Sequence, residues 1–310
     1  MKSADSEKTE VNSDPSMFVL NTIIEWSFLE ELMQASMHVC NQFGPAKRVE
    51  LIGYAEGFLS VIGRVYPDWT PKNDSLPDSF VVKIPSINNM QKMTDEAVFE
   101  ELRHEITSQD EELEQMQQNL YKVNNSECAF YEWIESWQAD IEVPRVYVHR
   151  KVTDTDRRGL LAMEYVDNAS LTEIKSTLRP SEAMAVIDTI ALIHAHSLED
   201  TSWKDIPTVQ WNDLMGGNRK KHDMFQFISS IAKMDEERLR PLIRKFESIF
   251  EDVMDYDIGS KVLCSMNLQP VLCHGDLWIN NLLWRKNGST SRELAAIIDW
   301  QVRKILSKIV

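Results

Sequence analysis

The chain has 310 residues, a formal net charge of −16 and 43% hydrophobic residues, enough material for one large domain or two lobes around a buried core. The acidic balance argues against broad polyanion binding, so nucleic acid is excluded as a partner, since such surfaces are basic. No apolar run is long enough for a membrane span, and Cys40, Cys128, Cys264 and Cys273 show no C-x-x-C spacing, which together suit a reduced, cytoplasmic protein.

In chain order, Met1 to Ser16 is polar, without an apolar h-region, and reads as a disordered acidic leader (residues 1–16). Val49 to Val65 is strand-like and punctuated by Gly53, Gly57 and Gly63. Glycine lets backbone approach a phosphate closely, although three glycines can equally mark a bulged hairpin. In Ser79-Phe-Val-Val-Lys-Ile84, apolar Phe80, Val82 and Ile84 alternate with Val81 and Lys83. A strand there turns its apolar side to a core and carries Lys83 on the opposite face, where a lysine can meet phosphate oxygens as a point charge or stand as an ordinary surface residue.

Gln91 to Trp137 is rich in helix formers, with an acidic solvated run through Asp110 to Glu114 and an interruption predicted at Asn124-Asn-Ser-Glu127. Asn-x-x-Glu is close to a capping box, in which Glu127 returns to the backbone of Asn124. Pro144 to His149 and Leu160 to Val166 predict two further strands around a polar turn, Asp154 to Gly159. Pro180 to His194 has apolar residues at three- and four-residue steps and predicts a buried helix. His194 and His196, two apart on that helix, point about 200° away from each other, which argues for helix-end packing over metal binding. Met215 to His222 reads as a loop with a basic cluster, and Phe225 to Phe250 as an amphipathic helical region.

The informative stretch is Val271-Leu-Cys-His-Gly-Asp-Leu-Trp-Ile-Asn-Asn-Leu-Leu-Trp284, followed by Ala295-Ala-Ile-Ile-Asp-Trp-Gln301. Leu282 to Trp284 and Ala295 to Ile298 predict two strands joined by a polar segment with an Asn287-Gly288 turn pair, an antiparallel hairpin. Its mouth makes Asn281 and Asp299 spatial neighbours. An amide and a carboxylate there suit magnesium, which takes oxygen ligands and shares them with substrate phosphates. Asp276, on the loop leading in, can accept a proton from a substrate hydroxyl, as the catalytic loop of a kinase does.

His274-Gly-Asp276 with Asn281, and Ile298-Asp-Trp-Gln301, resemble the choline kinase-like and ecdysteroid kinase-like group of the aminoglycoside phosphotransferase type. Within it the chain is most similar to the nematode CHK kinase-like branch. Glu56 to Arg64 resembles that branch's nucleotide-covering loop, and Ser79 to Ile84 its lysine strand. The resemblance runs from about Glu25 to Gln301. It implies an α+β, bilobal, protein kinase-like fold: a small antiparallel-sheet N-lobe over residues 17–166, and an incomplete, mainly helical C-lobe with the catalytic and metal-binding loops over residues 167–301. Residues 302–310, beyond the resemblance, read as a divergent tail.

The activity implied is ATP- and magnesium-dependent phosphorylation of a hydroxyl on a small molecule, choline-like, steroid or xenobiotic conjugate. Asp276 would orient the acceptor, Asn281 and Asp299 would bind Mg2+, and Lys83 would steady the ATP phosphates. Glu127, in place of the capping role above, would position Lys83. Gly57 and Ser60 would belong to the phosphate loop, the backbone of Glu164 to Val166 would contact adenine, and His274 would tether the catalytic loop. Members of the group continue well past the Asp-Trp-Gln motif. The helices from Pro180 onward are therefore expected to expose apolar surface, and a catalytically inactive nucleotide-binding or interaction protein on the same scaffold is the alternative.

Overall fold

The computed structural model describes residues 17–52, 60–86, 110–171, 177–207, 225–226, 228–253, 255, 261–262, 265–287, 291–300 and 303–304. It is a mixed α+β structure. Five strands, β1 (Arg48–Ile52), β2 (Ser60–Tyr66), β3 (Phe80–Pro85), β4 (Val146–Arg150) and β5 (Leu160–Glu164), form one sheet in the spatial order β1-β2-β3-β5-β4. All its pairings are antiparallel, with Ile62 opposite Lys83 and Lys83 opposite Leu161.

Side-chain alternation divides this sheet between two cores. Phe80, Val82 and Ile84 of β3, with Leu160 and Ala162 of β5, pack against Leu29 and Met33 of helix α1 (Trp26–Met37). Leu161 and Met163 face the other way, toward Phe130, Trp133 and Ile134 of helix α2 (Asp110–Trp137) and toward Trp300. The inner strand β5 is thus buried on both faces, which explains its uninterrupted apolar sequence. Each large side chain fully removed from water contributes about 1.5–3 kcal/mol, and Phe80, Leu160, Leu161, Phe130 and Trp300 are all fully buried. Gly63 on β2 reflects a close approach: a Cβ there would lie 2.5 Å from Leu20 Cδ1 and 2.7 Å from Val49 Cγ2.

Helix α2 runs unbroken through Asn124 to Glu127, contrary to the predicted interruption. The asparagines satisfy their amides against the β4–β5 hairpin instead of the helix backbone. Asn125 Nδ2 donates to the Val152 carbonyl at 2.8 Å, and the Val152 N–H donates back to Asn125 Oδ1 at 2.7 Å. This two-way amide clasp holds the middle of α2 on the sheet. Residues 91–109 of the predicted helical stretch, the 53–59 segment with Gly57, and the 215–222 basic loop lie outside the described residues.

After β5 the chain forms a short strand, Ala169–Ser170, and then helix α3 (Pro180–Glu199), whose first residue is proline, as its fixed φ and missing N–H allow. A hairpin of β6 (Leu282–Asn287) and β7 (Ser291–Ile297) pairs antiparallel, and Ala169–Ser170 adds a third strand beside β6. Helix α3 is half buried. Val186, Thr189 and Ile193 face the core, while Met184, Ile187, Leu192 and Leu198 stand about half exposed. The predicted amphipathic region 225–250 contains a 3-10 turn at Ala232–Met234 and helix α4 (Glu236–Glu247), capped by Asp235, whose side chain accepts from the Arg238 N–H. Among the described residues no helix is long and apolar enough to cross a membrane.

Glu182 fastens α3 to the hairpin. It is 3% exposed, accepts from Arg292 Nε of β7 at 2.8 Å, and accepts from the Arg179 N–H at 2.8 Å and Nη2 at 2.7 Å. The Arg292 hydrogen bonds, helped by those of Arg179, lower its pKa from 4.5 to about 2 despite burial. A depressed carboxyl contributes stability that is full above its unfolded pKa and is lost as pH falls through its folded one. Glu182→Gln should therefore cost about 3 kcal/mol at neutral pH, a gap that narrows as pH drops from about 4.5 toward 2 in urea-unfolding measurements. A gap independent of pH would overturn this assignment.

Candidate active site

The β6–β7 register, Leu282 opposite Ile297, brings the residues flanking both strands together. The Ile298 N–H donates to the Asn281 carbonyl at 2.9 Å. Asn281, itself buried, donates from Nδ2 to the Asp276 carbonyl at 2.7 Å, so the loop carrying Asp276 is tied to the hairpin mouth. His274 adds a second tie. Its Nε2 lies 2.9 Å from the Ile298 carbonyl, and its Nδ1 accepts the Asp276 N–H at 3.2 Å. A carbonyl can only accept and an amide only donate, so these partners assign the neutral imidazole with the proton on Nε2. Burial holds its pKa below the usual histidine range. Gly275 takes φ 85°, a left-handed conformation open to glycine, and the Asp276 side chain is exposed.

Lys83 reaches this region from the sheet. Its Nζ sits 2.6 Å from Glu127 Oε2 and also binds Asp299 Oδ1. The lysine side chain is 14% exposed, Glu127 2% and Asp299 28%. Burial works to lower the Lys83 pKa, yet Asp299 and then Glu127 outweigh it and raise it well above normal, so the ammonium stays charged. The Glu127 carboxyl is pushed up to about 7, by burial above all and by Asp299, with Lys83 opposing. One cation therefore serves two carboxylates. Asp299 has φ 65°, uncommon for a residue with a side chain and the kind of local outlier that gathers at functional sites.

Three rings join the charged members. Phe130 stacks on Trp300 at 4.2 Å between centroids and 8° between planes, and His274 lies 4.5 Å from Trp300. Phe130 follows Glu127 by less than one turn of α2, Trp300 follows Asp299, and His274 precedes Asp276. The stack thereby links the three segments that carry these carboxylates. Trp300 Nε1 also donates to the Ile297 carbonyl at 2.9 Å. Tyr131 is buried beside this group, its hydroxyl without a partner among the described residues. Sequence reasoning gave Phe130, Tyr131 and Trp300 no role of their own; the available signal was an aromatic residue within a turn of each acidic one.

Of the residues expected to form the site, Lys83, Glu127 and Asp299 touch directly, and Asn281 and Asp276 join through the hairpin mouth. Ser60 is buried at the start of β2, opposite Pro85, and Gly57 falls outside the described residues. Glu164 closes β5, its N–H donating to the Arg145 carbonyl at 2.8 Å, and Val166 follows it at 9% exposure. Glu164 lies along the sheet from Lys83, opposite Phe80. His196 stacks on Trp137 at 4.2 Å and 4°, a packing role. Among the described residues no group of three or more His, Cys, Asp or Glu side chains is arranged to hold a metal.

The fold and this cluster define a mixed α+β protein with a buried lysine shared by a helix carboxylate and a hairpin carboxylate. The chain belongs to the DUF1679 family, described as "Uncharacterized oxidoreductase dhs-27", which it matches over residues 14–308. A curated relative from Caenorhabditis elegans, also named "Uncharacterized oxidoreductase dhs-27", is 23% identical over 254 residues, covering 79% of this chain and 29% of the relative. The chain thus spans under a third of that protein's length. Plasmodium vivax ethanolamine kinase Pv091845 superposes with a TM-score of 0.35 and 14% identity, over 84% of this chain and 57% of the kinase.

Removing the shared cation should expose the cost of the buried carboxylate. Lys83→Met is expected to destabilise the chain by about 3–5 kcal/mol in urea unfolding, because Glu127 is left buried without a counter-charge. Adding Glu127→Gln should recover part of the loss through coupling between the two positions. Strict additivity of the two substitutions would contradict the ion-pair account.

Proposed function

We propose that this chain is an ATP- and magnesium-dependent phosphotransferase acting on a hydroxyl of a small molecule. The observation that carries the reading is Lys83 held between Glu127 of α2 and Asp299 at the hairpin mouth. A lysine positioned by a helix glutamate and facing a metal-ligating aspartate is the phosphate-binding arrangement of kinases. The two-lobe division near Val166, the protein kinase-like fold and the cytoplasmic location belong to the same reading.

The donors fit magnesium. Asn281 and Asp299 offer an amide and a carboxylate, hard oxygen ligands that suit an ion shared with substrate phosphates. Two carboxylates facing one ammonium also leave negative charge that a divalent cation would neutralise. When bound, Mg-ATP supplies the transferable phosphoryl group and the charge that stabilises its transfer. On the protein side, Lys83 holds the phosphates by charge. Asp276, exposed on its tethered loop, accepts the proton of the acceptor hydroxyl. His274 and Asn281 keep that loop in place, so catalysis is largely positioning. Ser60 and Gly57 would border the phosphates, and the backbone of Glu164 to Val166 would meet the base.

The oxidoreductase name borne by the family and its curated relative suggests a different chemistry. Dinucleotide sites of the Rossmann type form at the carboxyl edge of parallel βαβ sheets, whereas every pairing of the five-stranded sheet here is antiparallel. With the chain covering 29% of that relative, we assign no oxidoreductase chemistry to this segment.

Thermal unfolding with and without Mg-ATP tests the proposal. At about a hundredfold excess over the dissociation constant, a ligand specific to the folded state adds about 2.7 kcal/mol. The stabilisation is expected to need magnesium and to vanish in Asp299→Asn. An unmoved cooperative transition would refute the nucleotide site and leave an inactive scaffold as the better description. In an acceptor assay, Asp276→Asn should lower kcat by about 100-fold or more with Mg-ATP affinity unchanged.

A further inference from the structure

Arg64, given no individual role above, shares a sheet face with Lys83. Ile62 lies opposite Lys83 and Arg64 opposite Val81, and cross-strand partners and alternate residues point to the same side. From there the guanidinium spans to the segment that follows β5. Arg64 Cζ sits 3.4 Å from the ring centroid of Tyr165, and its Nη2 lies 3.8 Å from an Asp167 carboxylate oxygen. The fork is fixed from behind, with Nε and Nη2 donating to Ser79 Oγ at 3.0 and 2.9 Å.

The Asp167 side chain is 78% exposed, and an ion pair that open to water contributes little. The stacked ring is the stronger link, since a guanidinium flat on an aromatic face loses little hydration. Tyr165 is the middle residue of Glu164-Tyr-Val166, and the Val166 N–H has no backbone acceptor among the described residues. Backbone recognition works only where the backbone is held to about half an ångström. Tyr165 lies beyond the last ladder residue of β5, so the sheet does not hold it.

We infer that Arg64 is a positioning residue for nucleobase recognition, clamping Tyr165 so that the Glu164–Val166 backbone is set for a purine base. The inference rests on the nucleotide-binding reading above and adds a residue and a selectivity to it: the clamp acts on the base and leaves the phosphate end, at Lys83, untouched. A role confined to stability would affect every ligand alike.

Isothermal titration of Mg-ATP and of Mg-tripolyphosphate, which lacks the base, separates these cases. In Arg64→Ala, Mg-ATP affinity should fall about tenfold while Mg-tripolyphosphate affinity stays at the wild-type value. Arg64→Lys, which keeps the charge but not the planar stack, should behave like Arg64→Ala. Tyr165→Leu reads the same clamp from its other side, with Ser79 and Arg64 intact, should the arginine variants not fold. Equal losses for both ligands, or Mg-ATP binding unchanged in Arg64→Ala and Tyr165→Leu, would overturn the clamp alone. A wild-type chain that binds no Mg-ATP would overturn the nucleotide reading and the clamp with it.

Discussion

A carboxylate at 2% exposure, such as Glu127, costs several kcal/mol to bury unless a charge of opposite sign meets it. Lys83 meets it, and the rest of the arrangement can be derived from what that contact demands. The lysine must leave the sheet at the position opposite Ile62 and Leu161, α2 must not slide, and Asp299 must arrive at the same ammonium from the far end of the sequence. The Asn125–Val152 clasp answers the second requirement. The Phe130–Trp300–His274 stack and the left-handed backbone of Asp299 answer the third.

The sheet divides two tasks between its faces. The face toward α1 is filled with Phe80, Val82, Ile84, Leu160 and Ala162 and carries no titratable group among those residues. The opposite face carries Lys83 and Arg64 among Val81, Leu161 and Met163. Apolar packing on one side thus holds rigid the backbone from which charged groups project on the other. That separation lets β3 alternate between core and site within six residues.

The alternation around Lys83 and the β6–β7 hairpin were legible because each rests on a local rule, period two in one case and a turn pair in the other. Glu127 was legible only as a choice between capping and pairing with Lys83, and the continuous helix decides against the cap. Asn124 and Asn125 misled because isolated asparagine disfavours helix interiors, whereas here their amides bond the β4–β5 hairpin. For helix α3, three- and four-residue spacing reports that a face is apolar without saying whether a neighbour covers it, and Met184, Ile187, Leu192 and Leu198 stand about half exposed. The ring stack and the Arg64 clamp depend on register between distant segments, which single-sequence reading does not supply. The 53–59 loop and Gly57 fall outside the described residues.

The contact between Lys83 and Asp299 joins positions 216 apart in the chain. Residues from Val19 to Ala162 suffice for the core on the α1 side, so that half can consolidate early as the chain leaves the ribosome. The other core needs Ile297 and Trp300, and closing so long a loop is entropically slow. Until it closes, Lys83 and Glu127 have each other but lack the third member, and Phe130 lacks its stacking partner. The candidate site accordingly assembles after the α1-side core, and any event that delays synthesis between Ala162 and Trp300 leaves an aromatic, acidic surface open for as long as the delay lasts.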